Sequence, residues 1–152
     1  MPYNNILTAD ELVAINTVFQ EAALEPQKIL IVEDDPCTRE MLTEILQVNG
    51  LLCLQARSAV EAMRALSNDN SVELIITDLR MYPHDGLQLI RMIRESEWAD
   101  LPILIISGDA GVRDAIEAMR LNVVDFLLKP INPDELISLV HLELGFRPEN
   151  LP

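Results

Sequence analysis

The chain has 152 residues and a formal net charge of −14, from 25 acidic and 11 basic side chains. This length suits one domain with a single substantial core. The acidic balance argues against direct binding to nucleic acid or to an anionic membrane surface, because both need a basic face.

The rest of the composition points to a cytoplasmic protein. No apolar run approaches the roughly 20 residues of a membrane span. The first residues lack the basic start and apolar centre of a signal peptide. The two cysteines are too few for a disulfide framework.

The N-terminal segment predicts a helix that is separate from the rest of the chain. Thr8 begins a capping-box pattern, and Leu12, Ile15 and Phe19 then fall on one helical face. We expect residues 1–26 to form a helical extension that docks on the adjoining domain or pairs two copies of the chain.

Strands and helices alternate from Lys28 onward. The alternation predicts an α/β fold with a five-stranded parallel, doubly wound sheet and helices on both faces. We expect this domain to cover residues 27–145, and residues 146–152 to be a tail or the start of a linker. The predicted strands are 28–32, 51–56, 72–77, 102–107 and 124–128, and the predicted helices are 36–49, 58–66, 86–95, 111–121 and 133–145.

Charged and polar residues lie at the carboxyl ends of four of the five strands. Glu33 and Asp34 follow the first strand, Asp78 follows the third, Ser107 ends the fourth and Lys129 follows the fifth. The carboxyl ends of parallel strands share one edge, where the functional crevice of such sheets lies. Carboxylates are costly to bring together in a partly dry place. Their grouping beside a lysine therefore suggests a metal-assisted phosphoryl site.

The motifs at these strand ends resemble the response-regulator receiver domain of two-component signalling. The matching stretches are ILIVEDD, LIITDLRM followed by DG, PILIISGD and DFLLKP, and the resemblance covers about residues 27–144. It implies a chemotaxis-regulator-like, flavodoxin-like sheet with strand order 2-1-3-4-5. It also implies a bacterial phosphorelay protein that accepts a phosphoryl group and is not a conventional turnover enzyme.

The resemblance assigns the phosphoryl site residue by residue. Asp78 matches the phospho-accepting aspartate. Asp34 and Glu33 match the acidic pair that holds Mg²⁺, with Asp78 and the backbone carbonyl of Arg80 as further ligands. Lys129 matches the lysine that pairs with the phosphoryl oxygens, and the bond that follows it, to a proline, is usually cis in this family.

The resemblance also implies a switch and a set of partners. Ser107 matches the switch hydroxyl, and Phe126 the aromatic residue whose rotamer follows it. A histidine kinase or phosphotransfer protein would supply the phosphoryl group, and a downstream effector protein or domain would read the switched surface. Two surfaces are candidates for a homodimer contact: the N-terminal helix, and the face of the fourth helix, fifth strand and fifth helix.

Simpler interpretations exist for two of these residues and for Asp35, which follows the acidic pair. Asp35 is better explained as a charge at a helix N-terminus. Ser107 could cap the next helix. Arg80 could be a solvated arginine or could tune the lifetime of the phosphoryl group.

The sequence departs from the family pattern at two turns. Met81 is followed by Tyr82, and the proline usual at that position comes one residue later, at Pro83. The usual Gly-Ala before the fifth strand is replaced by residues that begin with Asn122. Asparagine tolerates the left-handed conformation, so we expect this turn to survive.

Three other functions compete with that of a phospho-accepting receiver. An aspartate-nucleophile phosphohydrolase needs Asp-x-Asp after the first strand, but Pro36 stands at the second aspartate position. A flavin-nucleotide carrier needs a phosphate loop there, and the acidic residues would repel the phosphate. A receiver-like adaptor that signals without phosphorylation is the alternative that remains open.

Overall fold

The computed structural model describes residues 8–11, 13, 26–109 and 111–145. Within these ranges, strands and helices alternate from Lys28 onward as predicted. They are β1 (Lys28–Val32), α1 (Pro36–Val48), β2 (Leu52–Ala56), α2 (Ala59–Asn68), β3 (Val72–Asp78), α3 (Gly86–Arg94), β4 (Ile103–Ser107), α4 (Val112–Arg120), β5 (Asp125–Leu128) and α5 (Pro133–Glu143).

The strands form one parallel sheet in the order β2-β1-β3-β4-β5, which confirms the predicted fold class. Val32 is paired with Thr77, Thr77 with Ile105, and Ile105 with Phe126. This register brings the carboxyl ends of β1, β3, β4 and β5 to one edge. The chain reverses its direction of winding between β1 and β3, where sheets of this kind bind ligands.

Alternate residues of each strand pack on opposite faces of the sheet. Ile29 and Ile31 belong to a core formed with α1 and α5. Leu30 and Val32 belong to a second core formed with α2, α3 and α4. All four side chains are fully buried, and burial of each contributes about 1.5–3 kcal/mol. The sheet is therefore a rigid platform for the residues at the ends of its strands.

Side chains cap the helices that follow the first two strands. Asp35 is the N-cap of α1, where its Oδ2 accepts hydrogen bonds from Thr38 N at 2.8 Å and Thr38 Oγ1 at 2.6 Å. Ser58 caps α2 by accepting from Glu61 N at 3.1 Å. Ser58 and Glu61 also have the spacing of a capping box, which predicts a bond from Ser58 N to the Glu61 carboxylate. This prediction is wrong, because the carboxylate accepts from Arg57 Nε at 2.6 Å and from Arg57 N at 3.3 Å instead.

Two departures from the family pattern have clear structural outcomes. Asn122 adopts the left-handed conformation at φ 59°, so the turn before β5 survives as predicted. In the loop after β3, the Tyr82–Pro83 peptide bond is cis. The Lys129–Pro130 bond is also cis, in agreement with the family resemblance.

The start of the predicted N-terminal helix has its capping box. Thr8 N donates to Glu11 Oε2 at 2.9 Å, and Glu11 N donates to Thr8 Oγ1 at 3.1 Å. The apolar face predicted for this helix and the predicted tail at 146–152 lie outside the described residues. Among the residues that are described, every helix is too short or too polar to span a membrane.

An ion pair ties the start of β1 to the end of α2. Lys28 Nζ donates to Asp69 Oδ2 at 2.6 Å, and both side chains are largely buried. Asp69 also accepts hydrogen bonds from Ser71 N, at 2.8 Å, and from the Ser71 hydroxyl. The bonds from Lys28 and Ser71 lower the pKa of Asp69 from 3.8 to about 2.

We expect Asp69→Asn to lower the free energy of unfolding near neutral pH by about 1–2 kcal/mol. Because the folded-state pKa is lowered, the stabilisation is present above about pH 4 and is lost as the pH falls toward 2. Urea unfolding over this pH range should show parent and variant converging at low pH. The exposed Glu97→Gln variant is the control, and a gap that stays constant with pH would contradict the assignment.

Candidate functional site

Three carboxylates meet at the carboxyl ends of β1 and β3. Glu33 and Asp34 follow Val32, and Asp78 follows the residue paired with Val32. One carboxylate oxygen from each acid lies within 4.8 Å of the other two. Glu33 is fully buried and Asp78 is 5% exposed, whereas Asp34 is exposed to solvent. The sequence prediction that these acids come together is confirmed.

Lys129 joins the two buried carboxylates. Its Nζ lies 2.8 Å from Glu33 Oε1 and 3.1 Å from Asp78 Oδ2. The lysine is carried into the site by β5, and Lys129 N donates to the carbonyl of Ser107 at 2.9 Å. One ammonium thus pairs with two of the three clustered carboxylates, and the site has an excess of negative charge.

Burial and the short distances between these charged groups shift their pKa values. Burial raises the pKa of Glu33 to about 7; the charge of Asp78 adds to the effect, and the hydrogen bond from Lys129 opposes it. Burial alone would lower the pKa of Lys129, but its hydrogen bonds to Glu33 and Asp78 raise it. The site therefore favours positive charge. Its carboxylate oxygens are the ligands that a hard divalent cation such as Mg²⁺ prefers.

Ser107 is fully buried at the end of β4. Its Oγ accepts a hydrogen bond from Asp109 N at 3.3 Å. The alternative in which Ser107 caps the next helix is wrong, because the N-cap of α4 is Gly111. Phe126 is paired with Ile105 in the sheet and is half-buried against the core of α2, α3 and α4. It lies two residues before Leu128, the strand partner of Ser107.

The guanidinium of Arg80 makes specific polar contacts and is not simply solvated. Its backbone N–H donates to Asp78 Oδ1 at 3.3 Å. Its guanidinium reaches Asp109 O at 3.2 Å and Asp114 Oδ2 at 2.9 Å. The side chain therefore connects the loop after β3 with the N-terminal end of α4.

Two residues that make contacts beside the site were not predicted from the sequence. Arg39 Nη1 donates to the carbonyl of Glu33 at 2.8 Å and holds the turn that carries the acidic pair. Asp114 is the partner of Arg80 across a separation of 34 residues. Arg39 could have been found by its place in the first turns of α1. Nothing in the sequence pattern indicates the partner of Asp114.

Gly86 allows the loop after Asp78 to close tightly. Gly86 N donates to Leu79 O at 2.8 Å. A Cβ atom at Gly86 would lie 2.2 Å from the carbonyl oxygen of Asp78 and 2.8 Å from the Cα of Leu79. Backbone on both sides leaves no room for a side chain, so this glycine sets the path of the segment that presents Asp78.

Comparison with known proteins places the chain in one family. The family model described as the response regulator receiver domain matches residues 29–141. The chain therefore belongs to the response regulator receiver domain family, whose members are regulatory domains of two-component systems and not conventional enzymes. This membership favours a receiver over the phosphohydrolase and the flavin-nucleotide carrier.

Individual relatives agree with this assignment. The crystal structure of a response regulator receiver protein from Pseudomonas putida has 42% sequence identity and a TM-score of 0.76, covering 79% of this chain and 99% of that one. An uncharacterised 14.6 kDa protein of Leptolyngbya boryana is 35% identical over 83% of this chain and 97% of its own length.

A longer relative is the transcriptional regulatory protein GlrR of Escherichia coli. It is 34% identical over 116 residues, which are 76% of this chain and 26% of GlrR. The chain thus spans about a quarter of that protein's length.

We expect Gly86→Ala to lower the free energy of unfolding by about 1–3 kcal/mol, because the new methyl group must displace backbone. Gly108→Ala is the matched control, since a Cβ there would make ordinary contacts with the Lys129 side chain at 3.7 Å. Urea unfolding of both variants measures the difference. Equal stability of the two variants would show that the loop can move aside at little cost.

Proposed function

We propose that the chain is a phospho-accepting receiver and that Asp78 takes the phosphoryl group from a histidine kinase or phosphotransfer protein. The observation that carries the proposal is the ammonium of Lys129, bonded to both Asp78 and Glu33 inside a cluster of three carboxylates. A buried nucleophilic carboxylate, a fixed cation and a set of oxygen donors are the parts that phosphoryl transfer to an aspartate needs.

The transfer is a displacement at phosphorus. A carboxylate oxygen of Asp78 attacks the phosphorus of a phosphohistidine, and the P–N bond breaks as the O–P bond forms. The electron pair of the broken bond returns to the imidazole nitrogen, and Asp78 becomes an acyl phosphate. Lys129 Nζ, 3.1 Å from Asp78 Oδ2, neutralises charge on the incoming phosphoryl oxygens.

Glu33, Asp34, Asp78 and the backbone carbonyl of Arg80 are the proposed holders of one Mg²⁺. The fit rests on the three carboxylates, whose hard oxygens lie close enough together to share one ion; the carbonyl of Arg80 is added from the family resemblance. When bound, Mg²⁺ supplies charge neutralisation and alignment of the phosphoryl oxygens. Arg39 positions the acidic pair through its bond to the carbonyl of Glu33.

Ser107 and Phe126 are the proposed switch. The Ser107 hydroxyl has a backbone partner at the long distance of 3.3 Å, in Asp109 N. Because Asp109 N–H donates to Ser107 Oγ, the hydroxyl hydrogen can still be donated to a phosphoryl oxygen, which is a strong anionic acceptor. If Ser107 moves toward the phosphoryl group, space opens for the ring of Phe126, which is half-buried two strand positions away.

The face of α4, β5 and α5 is the proposed output surface. It carries large apolar side chains that are well exposed, with Val112 at 77%, Met119 at 73% and Leu128 at 64%. A downstream effector protein or domain would bind there. A homodimer through this face or through the N-terminal helix stays a prediction, as do the boundaries of the receiver at residues 27 and 145.

The alternative is a receiver-like adaptor that works without phosphorylation. An adaptor has no need for three carboxylates and a lysine held at the crevice, and Glu33 is costly to keep buried there. The presence of the whole set supports the phospho-accepting function.

We expect intact mass spectrometry after incubation with Mg²⁺ and acetyl phosphate to show one added phosphoryl group on the parent. Asp78→Asn should remove it, because an amide is no nucleophile, and Asp34→Ala should slow labelling by about tenfold or more through loss of the metal. Asp35→Asn, next to the cluster but capping α1, is the control and should label normally. Labelling of Asp78→Asn at another carboxylate would contradict the assignment of the acceptor.

We expect Ser107→Ala to accept the phosphoryl group but to lose the response of the output surface. Amide resonances of α4 and β5 should shift on phosphorylation in the parent and should shift far less in the variant, because the methyl group cannot bind the phosphoryl oxygens. Ser138→Ala, on the exposed side of α5, is the control. A full parental response in Ser107→Ala would show that another group carries the signal.

A further inference from the structure

Arg80 connects the acceptor aspartate with α4 through three contacts. Its backbone N–H lies 3.3 Å from Asp78 Oδ1. Its Nη2 lies 2.9 Å from Asp114 Oδ2, and its Nε lies 3.2 Å from Asp109 O. The Arg80 side chain is 54% exposed and Asp114 is 22% exposed, so the guanidinium lies at the surface, beside the crevice.

One partner of the guanidinium, Asp109, lies between Ser107 and α4, and the other, Asp114, lies in the first turn of α4. Asp109 N donates to Ser107 Oγ. Asp114 Oδ2 also accepts from Gly111 N, the N-cap of α4, at 3.1 Å. Arg80 therefore fastens the first turn of α4 to the loop that follows Asp78.

The position of α4 depends more on polar contacts than the position of α3 does, because α4 buries fewer apolar side chains. Within the described helix, Ala118 is the one fully buried residue of α4. α3, of the same length, buries Gly86, Leu87, Leu89, Ile90 and Ile93. A helix with so little buried apolar surface depends on the contacts at its ends for its position.

The Arg80–Asp114 ion pair is weak enough to be exchanged for a better partner. Surface ion pairs contribute about 0.2–1 kcal/mol. A phosphoryl group carries a charge of about −1.5 to −2, and the planar guanidinium matches phosphate oxygens with two parallel hydrogen bonds. A phosphoryl group on Asp78 would stand two residues from Arg80, within the reach of a long side chain.

We propose that Arg80 is a latch between the acceptor site and α4. When Asp78 is free, the guanidinium holds Asp114 and with it the first turn of the helix. When Asp78 is phosphorylated, the guanidinium leaves Asp114 for the phosphoryl oxygens and α4 is released. This inference rests on the proposed function, because it requires Asp78 to be the acceptor.

The latch and the Ser107 and Phe126 pair meet at Asp109, whose carbonyl accepts from Arg80 Nε and whose N–H donates to Ser107 Oγ. They differ in what they contact: the latch holds the N-terminal end of α4, whereas Phe126 packs against the core formed with α2, α3 and α4. Because coupling between two sites is reciprocal, a change that frees Arg80 from Asp114 must also strengthen binding of a phosphoryl mimic at Asp78.

The test uses beryllofluoride with Mg²⁺ as the phosphoryl mimic and Asp114→Asn as the main variant. Asparagine keeps an oxygen for Gly111 N but loses the charge that holds Arg80. We expect the affinity for beryllofluoride to rise about two- to fivefold, and the amides of residues 112–115 to exchange faster by a similar factor in the unliganded protein. In the Arg80→Ala background, Asp114→Asn should leave the affinity unchanged.

Glu117→Gln is the matched control. It removes the ion pair between Glu117 on α4 and Arg91 on α3, which is about as exposed as the latch but has no connection with Asp78. We expect this variant to bind beryllofluoride like the parent. A gain in affinity equal to that of Asp114→Asn would show that any loss of negative charge on α4 suffices, and would overturn the latch.

The outcomes separate the latch from the proposed function. If the parent binds beryllofluoride and Asp114→Asn binds it equally well, the latch is wrong and the acceptor site stands. The same gain from Asp114→Asn with and without Arg80 also overturns the latch. If the parent does not bind beryllofluoride at all, the proposed function fails and the latch fails with it.

Discussion

The hydrogen bonds from the Lys129 ammonium to Glu33 and Asp78 are the contacts on which the crevice depends. Two carboxylates that are almost fully buried repel each other and lose solvation, so each is costly without a positive partner. Lys129 supplies that partner from β5, and it can do so because the parallel register brings the ends of β1, β3 and β5 to one edge. The remaining excess of negative charge gives the site its preference for a cation.

The central sheet and α4 differ in how much of their apolar surface is buried. The side chains of β1 are fully buried between two cores, and Gly86 closes the loop after β3 against the backbone of Asp78. Positions on such a platform are held closely, as reactive groups require. α4 has one buried residue, Ala118, and its first turn is held by the polar contacts of Asp114. The proposed release of α4 on phosphorylation of Asp78 rests on this difference between the helix and the sheet.

The sequence predicted the strand ends well because each buried strand is a run of aliphatic residues that stops at a polar one. Val32 before Glu33 and Thr77 before Asp78 mark such points, and the observed elements start and end within about two residues of the predicted ones. Local capping was predicted less well. The Glu61 carboxylate could bind either the backbone of Ser58 or the side chain of Arg57, and the choice is decided by geometry that spacing does not contain.

By itself, the sequence determined the α/β class, the family and the residues that gather at the crevice, because periodicity and motif order are local properties of the chain. The tertiary structure alone decided which of those residues touch. Lys129 is 51 positions from Asp78 and 96 from Glu33, and Arg80 is 34 from Asp114. Such contacts follow from strand order and register, which place distant segments side by side. No pattern within a single segment records them.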